Sequence, residues 1–77
     1  MREENYRALA DAIILRAVKD FQHAYRRLRR NPNDKKAQDS VREITNFFCS
    51  QYFEALTDLD GPALLHRMMR EIEKKER

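Results

Sequence analysis

The chain has 77 residues, a formal net charge of +3, 38% charged and 42% apolar residues, and only one Gly and two Pro. This length excludes more than one domain and gives a marginal core, so that a close partner or self-association is expected. The Gly-poor, charge-rich composition is typical of a helical protein, and it is too apolar for a disordered tail.

The first predicted element is a long amphipathic helix from about Glu3 to Arg29. Glu3 and Glu4 at its start and the arginines at its end both suit the helix dipole. Its apolar residues recur at spacings of three and four: Ala10, Ile14, Ala17, Phe21, Ala24 and Leu28. Further apolar residues lie off this stripe: Tyr6, Leu9, Val18 and Tyr25. So wide an apolar face predicts that the helix is central in the bundle or that part of it is a contact surface.

A short break then separates the first helix from a second. Asn31 is expected to take the left-handed terminating conformation, and Pro32 cannot continue the hydrogen-bond ladder. Asn33 or Asp34 is expected to cap the second helix, which extends to about residue 48 or 49. The stripe of this helix consists of Ala37, Val41, Ile44 and Phe48. Two amphipathic helices joined by so short a break are predicted to form an antiparallel hairpin.

Two more helices are predicted in the last third of the chain. Ser50 is expected to cap a short connecting helix. Asp60 is expected to cap a last helix from about Gly61 to Lys75, in which Gly61 supplies flexibility and Pro62 is tolerated in the first turn. The predicted fold is therefore an all-α bundle of three main helices and a short connecting one, forming a single domain over residues 1–77.

The predicted core consists of the large residues on these stripes. They are Ile13, Ile14, Phe21, Leu28, Val41, Ile44, Phe48, Leu56, Leu65, Met68 and Ile72. Burial of each is expected to contribute about 1.5–3 kcal/mol before conformational entropy is counted.

Charge is segregated along the chain. Residues 19–36 hold seven Lys/Arg against two Asp, whereas residues 37–61 hold one Arg against five acidic residues. The dense cationic cluster consists of Arg26, Arg27, Arg29, Arg30, Lys35 and Lys36. It either binds phosphates or an acidic protein surface, or it is a solvated helix end that suits the dipole. The second interpretation is favoured because basic runs are weak motifs.

Four aromatic residues, Phe47, Phe48, Tyr52 and Phe53, lie within a few turns. Most of this aromatic area is expected to be core, but the four rings cannot all face one direction on a helix. At least one ring, Phe47 or Tyr52, is therefore expected to be exposed and available to anchor a partner, although a core role is favoured over an interface role for the cluster as a whole.

No metal, cofactor or catalytic site is predicted. A calcium loop around Gly61 would need ligands from Leu56 and Arg67, which cannot serve. His23 and His66 have no metal-ligand spacing.

Cys49 is the only cysteine. Because Cys49 stands beside two Phe residues, it is expected to be a buried and inert thiol. One cysteine excludes an intrachain disulfide, which fits the cytoplasm. The longest apolar run is too short to span a membrane, so no membrane association is expected.

Several short stretches together carry a resemblance: Ala10-Asp11-Ala12-Ile13-Ile14, Ala17-Val18-Lys19-Asp20, Asn31-Pro32, Phe47-Phe48, Ser50, Phe53 and Leu56-Thr57-Asp58-Leu59-Asp60-Gly61. As a set they resemble small helical proteins encoded in prophages and integrative elements of Gram-positive bacteria. The resemblance implies an accessory protein and brings no assigned activity. Small proteins of such elements include inhibitors of host defence, among them anti-CRISPR proteins. Cys49, Gln51 and Tyr52 depart from the family's usual basic or Trp-bearing pattern around Ser50.

We expect a non-enzymatic protein that acts by binding another protein, because no Gly-rich phosphate loop, nucleophile elbow or metal constellation is present in the sequence. The candidate partner-binding residues are Arg26, Arg27, Arg29, Arg30, Phe47 and Tyr52. The alternative is nucleic-acid binding through Arg26, Arg27, Arg29, Arg30, Lys35 and Lys36. A homodimer formed through the first helix or the aromatic turn is a further expectation.

Overall fold

The chain folds into four helices joined by short turns. The computed structural model describes residues 3–76, and it describes side chains from Arg7 onward. The helices are α1 (Glu3–Arg30), α2 (Lys35–Phe48), α3 (Gln51–Leu56) and α4 (Gly61–Lys75). No strand occurs in residues 3–76, which confirms the predicted all-α fold. The expectations for the side chains of Glu3, Glu4 and Tyr6 lie outside the described residues.

Helix α1 is the element around which the others pack. Its 28 residues correspond to about 42 Å at 1.5 Å per residue, close to the 44 Å longest dimension of the molecule. It contacts α2, α3 and α4, and it packs most extensively against α2. This confirms both its predicted central position and the predicted α1–α2 hairpin.

The turn between α1 and α2 is built by side-chain hydrogen bonds. Asp34 is the N-cap of α2, and its carboxylate accepts the backbone N–H of Ala37 at 3.1 Å. The left-handed conformation expected for Asn31 is wrong, because no described residue has a positive φ. Instead, Asn31 Oδ1 accepts the backbone N–H of Asn33 at 3.1 Å, and the Asn31 carbonyl accepts that of Asp34 at 3.0 Å.

The predicted caps of α3 and α4 are confirmed. The Ser50 hydroxyl accepts the Phe53 N–H at 3.2 Å and donates to the Phe47 carbonyl at 2.6 Å, so it joins the end of α2 to the start of α3. The Asp60 carboxylate accepts the Ala63 N–H at 3.2 Å. Both bonds satisfy N–H groups that the first turn of a helix leaves without a partner.

Two side-chain contacts fix the direction of α4. The Tyr25 hydroxyl donates to Glu73 at 3.0 Å, and Arg29 pairs with Glu76 at 3.3 Å. The carboxyl end of α4 therefore lies beside the carboxyl end of α1. Helices α1 and α4 are parallel, and α2 runs antiparallel to α1.

The core lies where α1, α2, α3 and α4 meet. Phe21, Phe48 and Phe53 are completely buried, and the Phe48 and Phe53 ring centroids are 5.1 Å apart. Six members of the predicted core are buried: Ile14, Phe21, Phe48, Leu65, Met68 and Ile72. Phe53, which the core prediction omitted, is buried with them.

Five further members of the predicted core are less completely buried than these six: Ile13, Leu28, Val41, Ile44 and Leu56. The reason is geometric, because a helix in a small bundle touches neighbours over a narrow arc and residues at the edge of its stripe stay partly in solvent. Val41, Ile44 and Leu56 accordingly pack against the outside of the core cluster.

Gly61 is required by a close contact, not by flexibility as predicted. It is buried and has no positive φ, so its backbone conformation is open to any residue. A Cβ atom at this position would collide with the carbonyl oxygen of Phe48 and lie 2.8 Å from the carbonyl carbon. Since both atoms belong to the backbone, no side-chain rotation relieves the collision.

Gly61→Ala is therefore expected to destabilise the protein by about 1–3 kcal/mol, the usual range for inserting a methyl group into a packed site. The free energy of unfolding from urea titration followed by circular dichroism measures the effect. Ala63→Gly, an exposed position in the same turn, is the matched control and is expected to cost about 1 kcal/mol or less. An alanine at 61 that leaves the urea midpoint unchanged would contradict the close contact.

Candidate functional site

The helix directions gather cationic residues of three helices at one end of the bundle. This basic end comprises residues 26–36, at the α1–α2 turn, and residues 67–76, in the second half of α4. The two segments hold ten Lys/Arg against four Asp/Glu. The two segments are far apart in the sequence, and they lie close together in space because α4 runs parallel to α1.

Two of the four predicted arginines of α1 are held by acidic partners. Arg27 pairs with Asp34 at 3.0 Å, and Arg29 pairs with Glu76 at 3.3 Å. Arg26 instead lines a groove against α4, and Arg30 is exposed at the helix end. The run of arginines is therefore divided between two that are paired with acidic residues and two that are not.

Helix α4 adds a cationic surface that is not among the predicted site residues. Arg67, Arg70 and Lys74 are exposed and lie at positions i, i+3 and i+7, which fall on one side of a helix. We call these three residues the α4 basic face. The spacing is visible in the sequence, but its proximity to the end of α1 depends on the direction of α4.

A groove of about 290 Å³ separates the α4 basic face from α1. Arg26, Arg67 and Lys75 line it, and the buried side chains of Met68 and Ile72 form its floor. Glu71 also lines the groove and is the acidic residue among these cations. The groove thus presents a cationic rim above an apolar floor.

The carboxylate at the α1–α2 turn is stabilised in its charged form. The backbone N–H of Ala37, followed by the Arg27 guanidinium, holds the pKa of Asp34 below its usual value. In contrast, partial burial and the hydrogen bond to Glu73 raise the pKa of the Tyr25 hydroxyl. Tyr25 stays neutral around pH 7 and donates to Glu73.

A second hollow, of about 340 Å³, lies between α1 and α2. The cationic residues Arg27 and Lys36 line it together with the acidic residues Asp20 and Glu43. Arg27 and Lys36 are the members of the predicted nucleic-acid set that line this hollow, whereas Lys35 does not line it and is exposed. The opposite charges offset one another, so this hollow has no strong preference for an anion.

The aromatic turn is partly core and partly surface. The Phe47 ring is half-buried and lies 5.4–6.0 Å from the rings of Phe48, Tyr52 and Phe53, edge to face. Tyr52 is 56% exposed, which confirms that one ring of the cluster faces solvent. Phe48 and Phe53 are buried.

The expectation that Cys49 is a buried thiol is wrong. Cys49 is exposed and free. It is the C-cap residue of α2, where the backbone leaves the helix, and the preceding Phe48 takes the inward position. A helical stripe does not extend past the cap, which explains why its apolar neighbours did not bury it.

Exposed large apolar residues lie away from the basic end. Leu9, Leu15, Tyr52 and Leu59 are between 54% and 57% exposed. We call the part of the molecule formed by the first half of α1, α3 and the α3–α4 turn the apolar end. Residues of α1 and of the α3–α4 turn meet there, since Arg7, Asp11 and Leu59 line one hollow.

The six predicted partner-binding residues do not form one surface. Phe47 and Tyr52 lie near the carboxyl end of α2, whereas Arg26–Arg30 lie near its amino end. The 14 residues of α2 separate the two groups by about 20 Å at 1.5 Å per residue. The structure therefore offers two separate candidate surfaces, one apolar and one basic.

These features define a small all-α bundle with a basic end and an apolar end. No family model, curated protein or solved structure matches the chain. Within residues 3–76, no helix combines the length and the hydropathy that a membrane crossing requires. Among the side chains of residues 7–76, no three His, Cys, Asp or Glu are grouped as metal ligands would be.

The lowered pKa of Asp34 predicts a specific acid sensitivity. Its stabilising contribution is fully present above the ordinary carboxyl pKa of about 3.9 and is lost as pH falls through the lower folded-state value. Asp34→Asn is expected to destabilise the protein at pH 7 and to lose less stability than the wild type below about pH 4. Urea midpoints measured at several pH values test this. Asp58→Asn, an exposed change of the same charge, is the control, and identical pH profiles for the wild type and Asp34→Asn would refute the prediction.

Proposed function

We propose that this protein is a non-enzymatic binding protein whose apolar end docks on another protein. The observation that carries the proposal is the location of Leu9, Leu15, Tyr52 and Leu59, which are all more than half exposed and all belong to that end. Single exposed leucines are ordinary on a protein surface, and we take the occurrence of four large exposed apolar residues at one end of so small a domain as the sign of a contact surface.

The rings of the aromatic turn support this assignment. The Phe47 ring contacts the Tyr52 ring edge to face, and it also contacts the ring of the buried Phe53. An exposed Tyr ring that already contacts a neighbouring ring loses little side-chain entropy on binding. Tyr is also enriched among the residues that dominate binding energy. Tyr52 is therefore the residue of the apolar end from which we expect the largest contribution.

The resemblance described above supplies the biological setting of the proposal. We place the protein in the cytoplasm, as an accessory protein of a mobile genetic element, with inhibition of a host defence such as CRISPR as one role of this kind. A second copy of the chain is the other candidate occupant of the apolar end, since helix bundles of this size often gain stability by self-association.

Site-specific photo-crosslinking tests the proposal. A photoreactive phenylalanine analogue at position 52 is expected to crosslink a defined partner in cells that naturally make the protein, whereas the same analogue at position 36 is the matched control at the basic end. Analysis of the products by mass spectrometry separates a foreign protein from a second copy. Crosslinking of equal yield and identity from both positions, or none from position 52, would contradict docking at the apolar end.

Tyr52→Ser is expected to weaken binding of that partner by at least about 2 kcal/mol, the threshold for a residue that dominates an interface. Because the Tyr52 side chain is exposed, the urea midpoint is expected to change little. Calorimetric titration of the partner measures the affinity. Gln51→Ser, the neighbouring exposed residue, is the control. Equal affinities for the Tyr52→Ser variant and the wild type would show that the ring does not take part.

A further inference from the structure

The basic end carries a second surface, separate from the apolar end. We propose that the α4 basic face, together with Arg26 of α1, binds the phosphate backbone of a double-stranded nucleic acid. This goes beyond docking by the apolar end and moves the predicted nucleic-acid site from the α1–α2 turn to α4.

The cations of this surface are available for a ligand. Among the described residues, no ion pair within 4.0 Å holds Arg26, Arg67, Arg70 or Lys74, in contrast to Arg27 and Arg29, which Asp34 and Glu76 occupy. The ion pairs therefore divide the basic end into arginines that are paired with a carboxylate and cations that are not. Glu71 is the one acidic neighbour in the groove and lowers the local potential without cancelling it.

The spacing of the α4 basic face suits a duplex backbone. Positions 67 and 74 are separated by about 10 Å along the helix at 1.5 Å per residue. One strand of a duplex advances about 3.4 Å along its axis per phosphate, so the three cations cover about three successive phosphates. Arg67 and Arg70 also offer the forked donors that bind phosphate oxygens in pairs.

The surroundings favour a nucleic acid over an acidic protein. A protein partner needs apolar anchors, and the four most exposed large apolar side chains all lie at the other end of the molecule.

The surroundings of the α4 basic face also favour a duplex over a single strand, because a single strand needs aromatic rings for base stacking. Residues 26–36 and 67–76 contain no aromatic residue. The adjacent Tyr25 stacks on the buried Phe21 at 5.5 Å and donates a hydrogen bond to Glu73.

Fluorescence anisotropy with a labelled duplex DNA of about 20 base pairs, and a duplex RNA of the same sequence, tests the proposal. With four phosphate contacts, the slope of log K against log salt is expected to be about −3.6, a loss on the order of 100-fold between about 50 and 200 mM salt. Arg67→Gln/Arg70→Gln removes two contacts, so the slope should fall to about −1.8 and the loss to about 10-fold. Arg67→Lys/Arg70→Lys keeps both charges and is expected to keep most of the slope.

Arg16→Gln/Arg42→Gln is the matched control, since it removes the same net charge from exposed ion pairs away from α4. It is expected to keep the wild-type slope, and circular dichroism checks that every variant stays helical. Equal losses in the control and the α4 variant would overturn the site, because binding would then depend on net charge alone. Absence of duplex binding by the wild type at low salt, or stronger binding to polyglutamate than to either duplex, would overturn the proposal.

Discussion

The contact between the start of α4 and the end of α2 is the constraint on which the rest of the structure depends. Gly61 lies against the Phe48 carbonyl, so that the α4 backbone approaches α2 as closely as a glycine allows. At the same corner, Phe48 and Phe53 turn into the core and pack against each other. The short α3 and its Ser50 cap hold the chain in this corner. From here α4 can cover the core only by running back along α1.

The direction of α4 decides where the charged and the apolar parts of the surface lie. Because α1 and α4 are parallel, their cationic ends meet the α1–α2 turn, and the basic end results. The contacts Tyr25–Glu73 and Arg29–Glu76 match the two helix ends in register. Exposed pairs of this kind contribute little to stability. The aromatic turn and the first half of α1 are left at the other end, where apolar residues stay exposed.

Local features of the fold could be predicted from the sequence. The helix periods, the caps Asp34, Ser50 and Asp60, and the hairpin depend on residues a few positions apart, and the structure confirms them. The role of Gly61 could not be predicted, because it depends on a backbone atom 13 positions away. Cys49 was placed in the core by its neighbours, although the helix ends at that residue.

The candidate sites were predictable only in part. The exposure of one ring, either Phe47 or Tyr52, followed from the rule that four rings cannot share one face, and the structure shows that Tyr52 is the exposed one. The sequence did not show that Arg26–Arg30 and the pair Phe47 and Tyr52 lie on different surfaces. The 14 residues of α2 separate the two groups in the structure. The spacing of the α4 basic face could be read from the sequence. Its position beside Arg26 could not, because that position depends on the direction of α4.

The most direct test of the direction of α4 uses the exposed thiol of Cys49. A nitroxide attached to Cys49 broadens the NMR signals of nearby amides, and it requires no substitution because Cys49 is the only cysteine. We predict the strongest broadening in α3 and residues 61–64, weaker broadening along α4, and the least at residues 27–36 and 73–76. Broadening at residues 73–76 that equals or exceeds that at residues 61–64 would contradict the parallel arrangement and, with it, the basic end.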